Sequence, residues 1–253
     1  MHSFLRRLRY LIRRTLLLVR LFSTRKNGLS DFRSVLVIAP HPDDEVIGLG
    51  GYLARQSEAA CSVAIVYLSD GEKSLEDIEP QLVEAERRKL SLDVLDRLSI
   101  PDSSVWWLHF PDGSIPSKGC EGFDDAVAGM SDIIRRVRPD AVFVTHPLDT
   151  WPSDHIAAYE ITDGALNNTS CHGAFFGYWV WLWYSMPAQA TFRMHWRNIS
   201  RIPLDGLMQA KKKILMNAYM QPLSPNGKPW SGVLPKALLK AFDYPFEVVE
   251  RFR

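Results

Sequence analysis

Five consecutive residues, His41-Pro42-Asp43-Asp44-Glu45, set one imidazole beside three carboxylates. Imidazole nitrogen and carboxylate oxygen together suit zinc or another divalent first-row metal. His41 and Asp44 are three residues apart, so a tight strand-to-helix turn directs both at one point. Asp43 lies between them and can face the same cavity without being a ligand. A zinc centre that performs chemistry needs three protein ligands and an open position. The third must therefore come from elsewhere in the chain. Residues 145–155 read Thr-His-Pro-Leu-Asp-Thr-Trp-Pro-Ser-Asp-His and hold His146, Asp149, Asp154 and His155. His155 and His146 are rival candidates for the third ligand. Asp154 can cap the helix expected to begin there. Each residue alone has a plainer reading as a structural histidine or a helix cap. Two such clusters at two strand ends favour a metal site.

The elements around these clusters support that placement. Val35–Ala39 reads as a buried strand, and Ser62–Leu68, Val105–Leu108 and Ala141–Val144 read as three further strands. Helical patterns span 45–56, 80–98, 124–137 and 154–166. This alternation predicts an α/β fold with a mostly parallel sheet and helices on both faces. The carboxyl ends of parallel strands share one edge, where ligands bind, so the two clusters can meet. Gly48, Gly50 and Gly51 lack a dinucleotide-binding spacing and read as close helix–sheet packing. Beyond 170 the pattern changes. Residues 175–184 are strongly aromatic and read as one strand, mainly core, with one or two rings exposed. Helices are expected at 207–220 and 235–241 and a strand at 246–252. The lysines at 211–213 read as a solvated face.

The 253 residues carry a formal net charge of +1, unevenly spread. Residues 1–30 hold eight Arg or Lys and no acid, leaving 22 basic against 29 acidic residues in the remainder. That balance excludes a global nucleic-acid footprint. Phe4, Leu5, Leu8, Leu11, Ile12, Leu16, Val19 and Phe22 recur at helical steps with Arg6, Arg9, Arg13 and Arg20 between them. This is a basic amphipathic helix, too short in uncharged run to span a bilayer. It predicts contact with an anionic membrane surface through residues 1–25, against the alternatives of docking on the protein itself or on a partner, or of a disordered basic arm. Lys26-Asn27-Gly28 with Ser30 reads as a linker. The expected division is thus a basic segment, 1–30, and a catalytic domain, 31–253. Cys61, Cys120 and Cys171 are odd in number and widely spaced, which reads as reduced thiols of a cytosolic protein, peripheral on the inner face of a membrane where the basic helix makes contact.

Ala39-Pro40-His41-Pro42-Asp43-Asp44-Glu45 resembles the signature of the PIG-L/LmbE-like family of metal-dependent N-acetylglucosaminyl deacetylases. The three glycines, Arg88, Phe110-Pro111-Asp112-Gly113 and Asp149…Asp154-His155 extend the likeness over residues 34–168. The resemblance implies a Rossmann-like fold, His41, Asp44 and His155 as metal ligands, with Zn2+ or another divalent metal, and Asp43 as general base. It also implies substrate contacts for Arg88 and Asp112, with an N-acetylated amino sugar as substrate. Many members carry a histidine three residues before the last ligand that assists the oxyanion. Here Pro152 stands there, or Trp151 if an extra residue after Asp149 is allowed for, and His146, Arg88 or a residue of the aromatic C-terminal part is a candidate replacement. The expected activity is release of acetate from a GlcNAc-type sugar in a glycan, glycolipid or conjugate. The alternatives are an amidase on another acylated amino-sugar conjugate, or a metal-stabilised sugar-binding protein without turnover.

Overall fold

Apolar β-branched runs become buried strands, and the polar–apolar periodic stretches between them become the helices that cover the sheet. The computed structural model describes residues 2–26, 29, 32–59, 61–185 and 190–253. In chain order the elements begin with α1 (His2–Phe22), β1 (Arg25–Lys26), β2 (Ser34–Ala39), α2 (Asp44–Glu58) and β3 (Ser62–Ser69). They continue with α3 (Pro80–Arg97), β4 (Val105–Phe110), α4 (Phe123–Val137), β5 (Ala141–Thr145) and α5 (Asp154–Asn167). The C-terminal part adds β6 (Ala174–Tyr178), α6 (Leu182–Ser185), α7 (Ala190–Arg193), β7 (Ile199–Pro203), α8 (Gly206–Met220), α9 (Lys236–Leu239) and β8 (Phe246–Arg251). Asn27, Gly28 and Ser30 of the expected linker lie outside the described residues.

The strands form one sheet in the order β1-β7-β8-β6-β5-β2-β3-β4. Strands β2 to β6 pair in parallel, and β8 runs antiparallel to both β6 and β7. The chain goes from β2 to β3 and β4 on one side, then returns to place β5 and β6 on the other. The carboxyl end of β2 is therefore the topological switch point, where a crevice opens between diverging connections. His41 stands two residues beyond that end.

One apolar layer packs α2, α3 and α8 on one face of the sheet, through residues such as Val37, Leu49, Tyr52, Phe143 and Met216. A second packs α4 and α5 on the other face, through Leu36, Ile38, Val144, Met130 and Ile161. At Gly48 an added Cβ would lie 2.2 Å from the buried Tyr178 ring, so α2 approaches the sheet at a distance that only glycine permits. Lys212 corrects the reading of a solvated lysine face. It is buried and pairs with Glu247, which also accepts the backbone N–H of Gly51 (2.8 Å) and Tyr52 (2.9 Å). The lysine ammonium donates to the Ile47 carbonyl at 2.9 Å. A buried charge survives only when paired and hydrogen-bonded in this way, so the pair clamps α2 to α8 and β8.

The aromatic stretch at 175–184 is a second correction. Its strand ends at Tyr178, and α6 begins at Leu182. Asp149 causes the break by accepting the N–H groups of Val180 (3.1 Å) and Trp181 (2.8 Å), which removes both donors from the ladder. Tyr178, Trp179 and Trp183 are core, while Tyr184 is exposed. Helix α1 docks on this aromatic region. Leu17 and Leu21 pack among Trp179, Leu182, Trp183 and Ile199. The Arg201 guanidinium donates to the Phe22 (2.9 Å) and Thr24 (3.0 Å) carbonyls. Among the described residues, no helix is long and apolar enough to cross a membrane.

Candidate metal centre

β2 delivers Pro40 to the sheet edge, where its carbonyl accepts both the N–H and the hydroxyl of Ser69 at 3.0 Å. The chain then turns sharply into α2. The turn is completed by Asp43 in the left-handed region, φ 107°. A non-glycine residue there is strained. The Glu45 carboxylate holds it in place by accepting the Asp43 N–H at 3.0 Å, and the Tyr219 hydroxyl donates to the same carboxylate at 2.6 Å. Glu45 is thus a brace for the turn. Burial pushes its carboxyl up to about 7.

The turn brings His41 and Asp44 together, with His41 Nδ1 3.2 Å from Asp44 Oδ2. The second cluster arrives from the end of β5, and His155 Nε2 lies 3.3 Å from the same Asp44 oxygen. All three residues are buried, and their ligand atoms share one point. His155 is the third member of the cluster, and His146 is not. The His146 nitrogens are both taken, Nε2 by Glu250 at 2.7 Å and Nδ1 by the Leu148 N–H at 3.1 Å. Each clustered histidine turns its other nitrogen to a carboxylate. His41 Nε2 is 3.2 Å from Asp112 and from Asp154, and His155 Nδ1 is 3.5 Å from Asp149. Such outer carboxylates fix ring orientation and tautomer in metal sites.

Both ring nitrogens of His155 are buried without a hydrogen-bond partner. That is a costly state for a polar atom, and a cation between His41, Asp44 and His155 would relieve it at Nε2, while Nδ1 faces the Asp149 carboxylate. The two-nitrogen, one-oxygen donor set suits a divalent first-row metal. The electrostatics agree. Burial opposes charge on His155, but Asp44 and Asp149 outweigh it and raise the imidazole to about 9. Burial likewise raises Asp44, yet the neighbouring His155 and His41 hold it well below the usual carboxylate range. The cluster already favours positive charge at its centre. A metal would replace protons there.

Asp43 sits beside this point without joining it. Burial pushes its carboxyl up to about 8, with Asp44 and Glu45 adding to the effect and Arg87 opposing it. Arg87, not its neighbour Arg88, is the arginine that reaches the site. It is buried on α3, lies 3.4 Å from Asp43 and donates to the carbonyls of Gly71 (3.1 Å) and Pro42. Arg88 instead lies over the Trp107 ring, 5.1 Å from its centroid. The signal for Arg87 was present in the sequence, since Val83, Arg87, Leu90 and Val94 share one helical face. Asp154 also departs from its expected role. It does not cap α5; it accepts the Gly113 N–H at 2.7 Å and faces His41. Asp112 accepts the Lys73 N–H at 3.1 Å and is the most solvent-accessible carboxylate around His41.

Residues 36–166 match the family described as PIG-L: GlcNAc-PI de-N-acetylase. The chain belongs to the PIG-L family. It is 26% identical over 163 residues to a 1D-myo-inositol 2-acetamido-2-deoxy-alpha-D-glucopyranoside deacetylase of Kineococcus radiotolerans, covering 53% of this chain and 45% of the relative. It is 28% identical over 118 residues to a diacetylchitobiose deacetylase of Thermococcus kodakarensis, covering 47% and 42%. The chain thus spans about half the length of the curated relatives it matches. In fold it is similar to the N,N'-diacetylchitobiose deacetylase of Pyrococcus horikoshii, with a TM-score of 0.60 at 20% identity over 88% of this chain and 79% of the other. The PIG-L match contains both clusters, from the end of β2 to the end of α5. Its last residues fall just before the aromatic C-terminal part.

Proposed function

We propose that this PIG-L chain is a metal-dependent hydrolase that removes the N-acetyl group from a GlcNAc-type sugar and releases acetate. The observation that carries the reading is a three-ligand cluster with a buried carboxylate, Asp43, beside it and outside it. His41, Asp44 and His155 hold the cation, with zinc as the leading candidate. The cation supplies Lewis acidity toward water and the acetamide carbonyl when bound.

The chain's own residues do the rest. Asp43 takes a proton from the attacking water, and the water oxygen bonds to the acyl carbon. Asp43 then passes the proton to the amide nitrogen as the C–N bond breaks, leaving acetate and a free amine. A carboxyl tuned upward by burial suits this double duty near neutral pH. The positive charge of a held cation draws that value down again, and Arg87 works in the same direction. Asp112, at the open side of the cluster, is placed to accept a hydrogen bond from a sugar hydroxyl. The deacetylase relatives supply the substrate class. Both named curated relatives act, by their names, on N-acetylated amino sugars.

The test is acetate release from a panel of N-acetylated sugars by metal-loaded protein, alongside Asp43→Asn. The variant keeps bound metal and loses about 10²–10⁴ in turnover. Sugar binding with no acetate from the wild-type chain would replace this reading with a non-catalytic one. Release of a longer acyl group in place of acetate would favour the wider amidase.

A further inference from the structure

Helix α1 has two apolar faces, and the wider one stays exposed, with Phe22 at its end also meeting Phe246 and the Arg201 guanidinium. Leu17 and Leu21 make the seam against the aromatic core. Leu8, Leu11, Ile12, Leu16, Val19 and Phe22 are all exposed, with Leu16 at 59% and Val19 at 65%. At about 100° per residue these six fall within an arc of about 140°, on the side of the helix opposite the seam. Along the axis they extend for about 21 Å. Isolated exposed leucines are ordinary, but a contiguous apolar stripe on one helix marks an interaction surface.

The flanking charge identifies the partner. Arg13 and Arg20 are exposed along one border of the stripe, the Arg20 guanidinium over the Trp196 ring, and Arg25 and Lys26 are exposed just past its end. No acid occurs in residues 1–30. We propose that α1 docks its exposed stripe onto an anionic lipid surface, lying in the interface plane with the body of the protein held against it by Leu17 and Leu21. A second copy of this chain fits less well, because pairing two such stripes about a two-fold axis sets arginine flanks of the same sign against each other. A lipid interface takes the apolar side chains into its acyl boundary and meets the arginines with anionic headgroups.

The surface is independent of the metal centre and can be tested apart from it. The whole chain is sedimented with vesicles of phosphatidylcholine containing phosphatidylglycerol, and with phosphatidylcholine alone. The expected result is binding to the anionic vesicles that weakens as salt rises and falls at least about tenfold in the triple variant Leu11→Glu, Leu16→Glu, Val19→Glu. These side chains are exposed, so the variant keeps the wild-type melting temperature and the wild-type rate on a soluble substrate. Should the triple variant fold poorly, Arg13→Glu alone still lowers binding to anionic vesicles. The proposal is overturned by absence of binding to anionic vesicles, or by equal binding of wild type and triple variant. It is also overturned by a dimer that the triple variant dissolves while neither form binds vesicles.

Discussion

Replacing Arg87 with methionine tests how the buried arginine and Asp43 depend on each other. The side chain is of similar length, so the change removes charge and donors more than volume. Three contacts go at once: those to the Pro42 and Gly71 carbonyls and the ion pair with Asp43. Breaking one side of a buried ion pair costs about 3–5 kcal/mol. At this chain length that lowers the melting temperature by roughly 6–20 °C. The catalytic consequence has a definite sign. Arg87 lowers the Asp43 pKa against burial, which raises it. Without the arginine the pKa climbs further, and Asp43, the proposed general base, is protonated over more of the neutral range. The acidic limb of the pH–rate profile therefore moves to higher pH. On that limb each tenfold loss of rate corresponds to about 1.4 kcal/mol of lost charge stabilisation. The assay is kcat/KM for acetate release across pH 5–10 on metal-loaded protein, with melting measured in parallel. Arg87→Lys restores charge without the planar fork, so it recovers the limb more than the melting temperature. A methionine variant that melts early but keeps its acidic limb would refute the electrostatic link and leave Arg87 as a tie between loops.

Three further outcomes follow from contacts described above. Asp149→Asn removes the carboxylate facing His155 Nδ1, and metal affinity falls about 10–100-fold in a chelator competition. Gly48→Ala forces a methyl group into the Tyr178 ring and lowers stability by about 1–3 kcal/mol or more in a denaturant melt. For Glu250, burial works upward, but the His146 hydrogen bond outweighs it and the carboxyl is held low. A depressed carboxyl contributes stability above its unfolded pKa and loses it as pH falls through the folded value. Glu250→Gln therefore costs stability at neutral pH and flattens the acid limb of a pH–stability curve.

Much of the PIG-L domain was legible in the sequence because its central strands β2, β3 and β5 are buried and read as unbroken apolar runs, while β4 is a half-buried edge strand. The alternation from Ser34 to Asn167 and the placement of the two clusters at the sheet edge needed nothing beyond period and edge, whereas the choice of His155 over His146 rested on the family resemblance. Elsewhere the decisive partners are distant in sequence. β1 is two residues long, and β7 reads Ile-Ser-Arg-Ile-Pro, so each is a strand only because it pairs within the sheet. The end of β6 is set by Asp149, which nothing in the local aromatic pattern announces. Lys212 sits in a run of three lysines and is singled out only by Glu247 on the last strand. At the site, Arg87 was recoverable from its helical face, whereas the turn of Asp154 toward His41 depends on the Gly113 loop.

The left-handed backbone at Asp43 makes that position a place where selection pulls in two directions. Glycine or asparagine would sit there with less strain than aspartate, and neither would bring a third carboxylate beside Asp44 and Glu45. A lineage that no longer needed the reaction would gain stability by making that change. Under the proposed reaction an aspartate is kept at such a φ for its carboxylate, and replacement of this one residue is the trace that disuse would leave in a descendant of the chain.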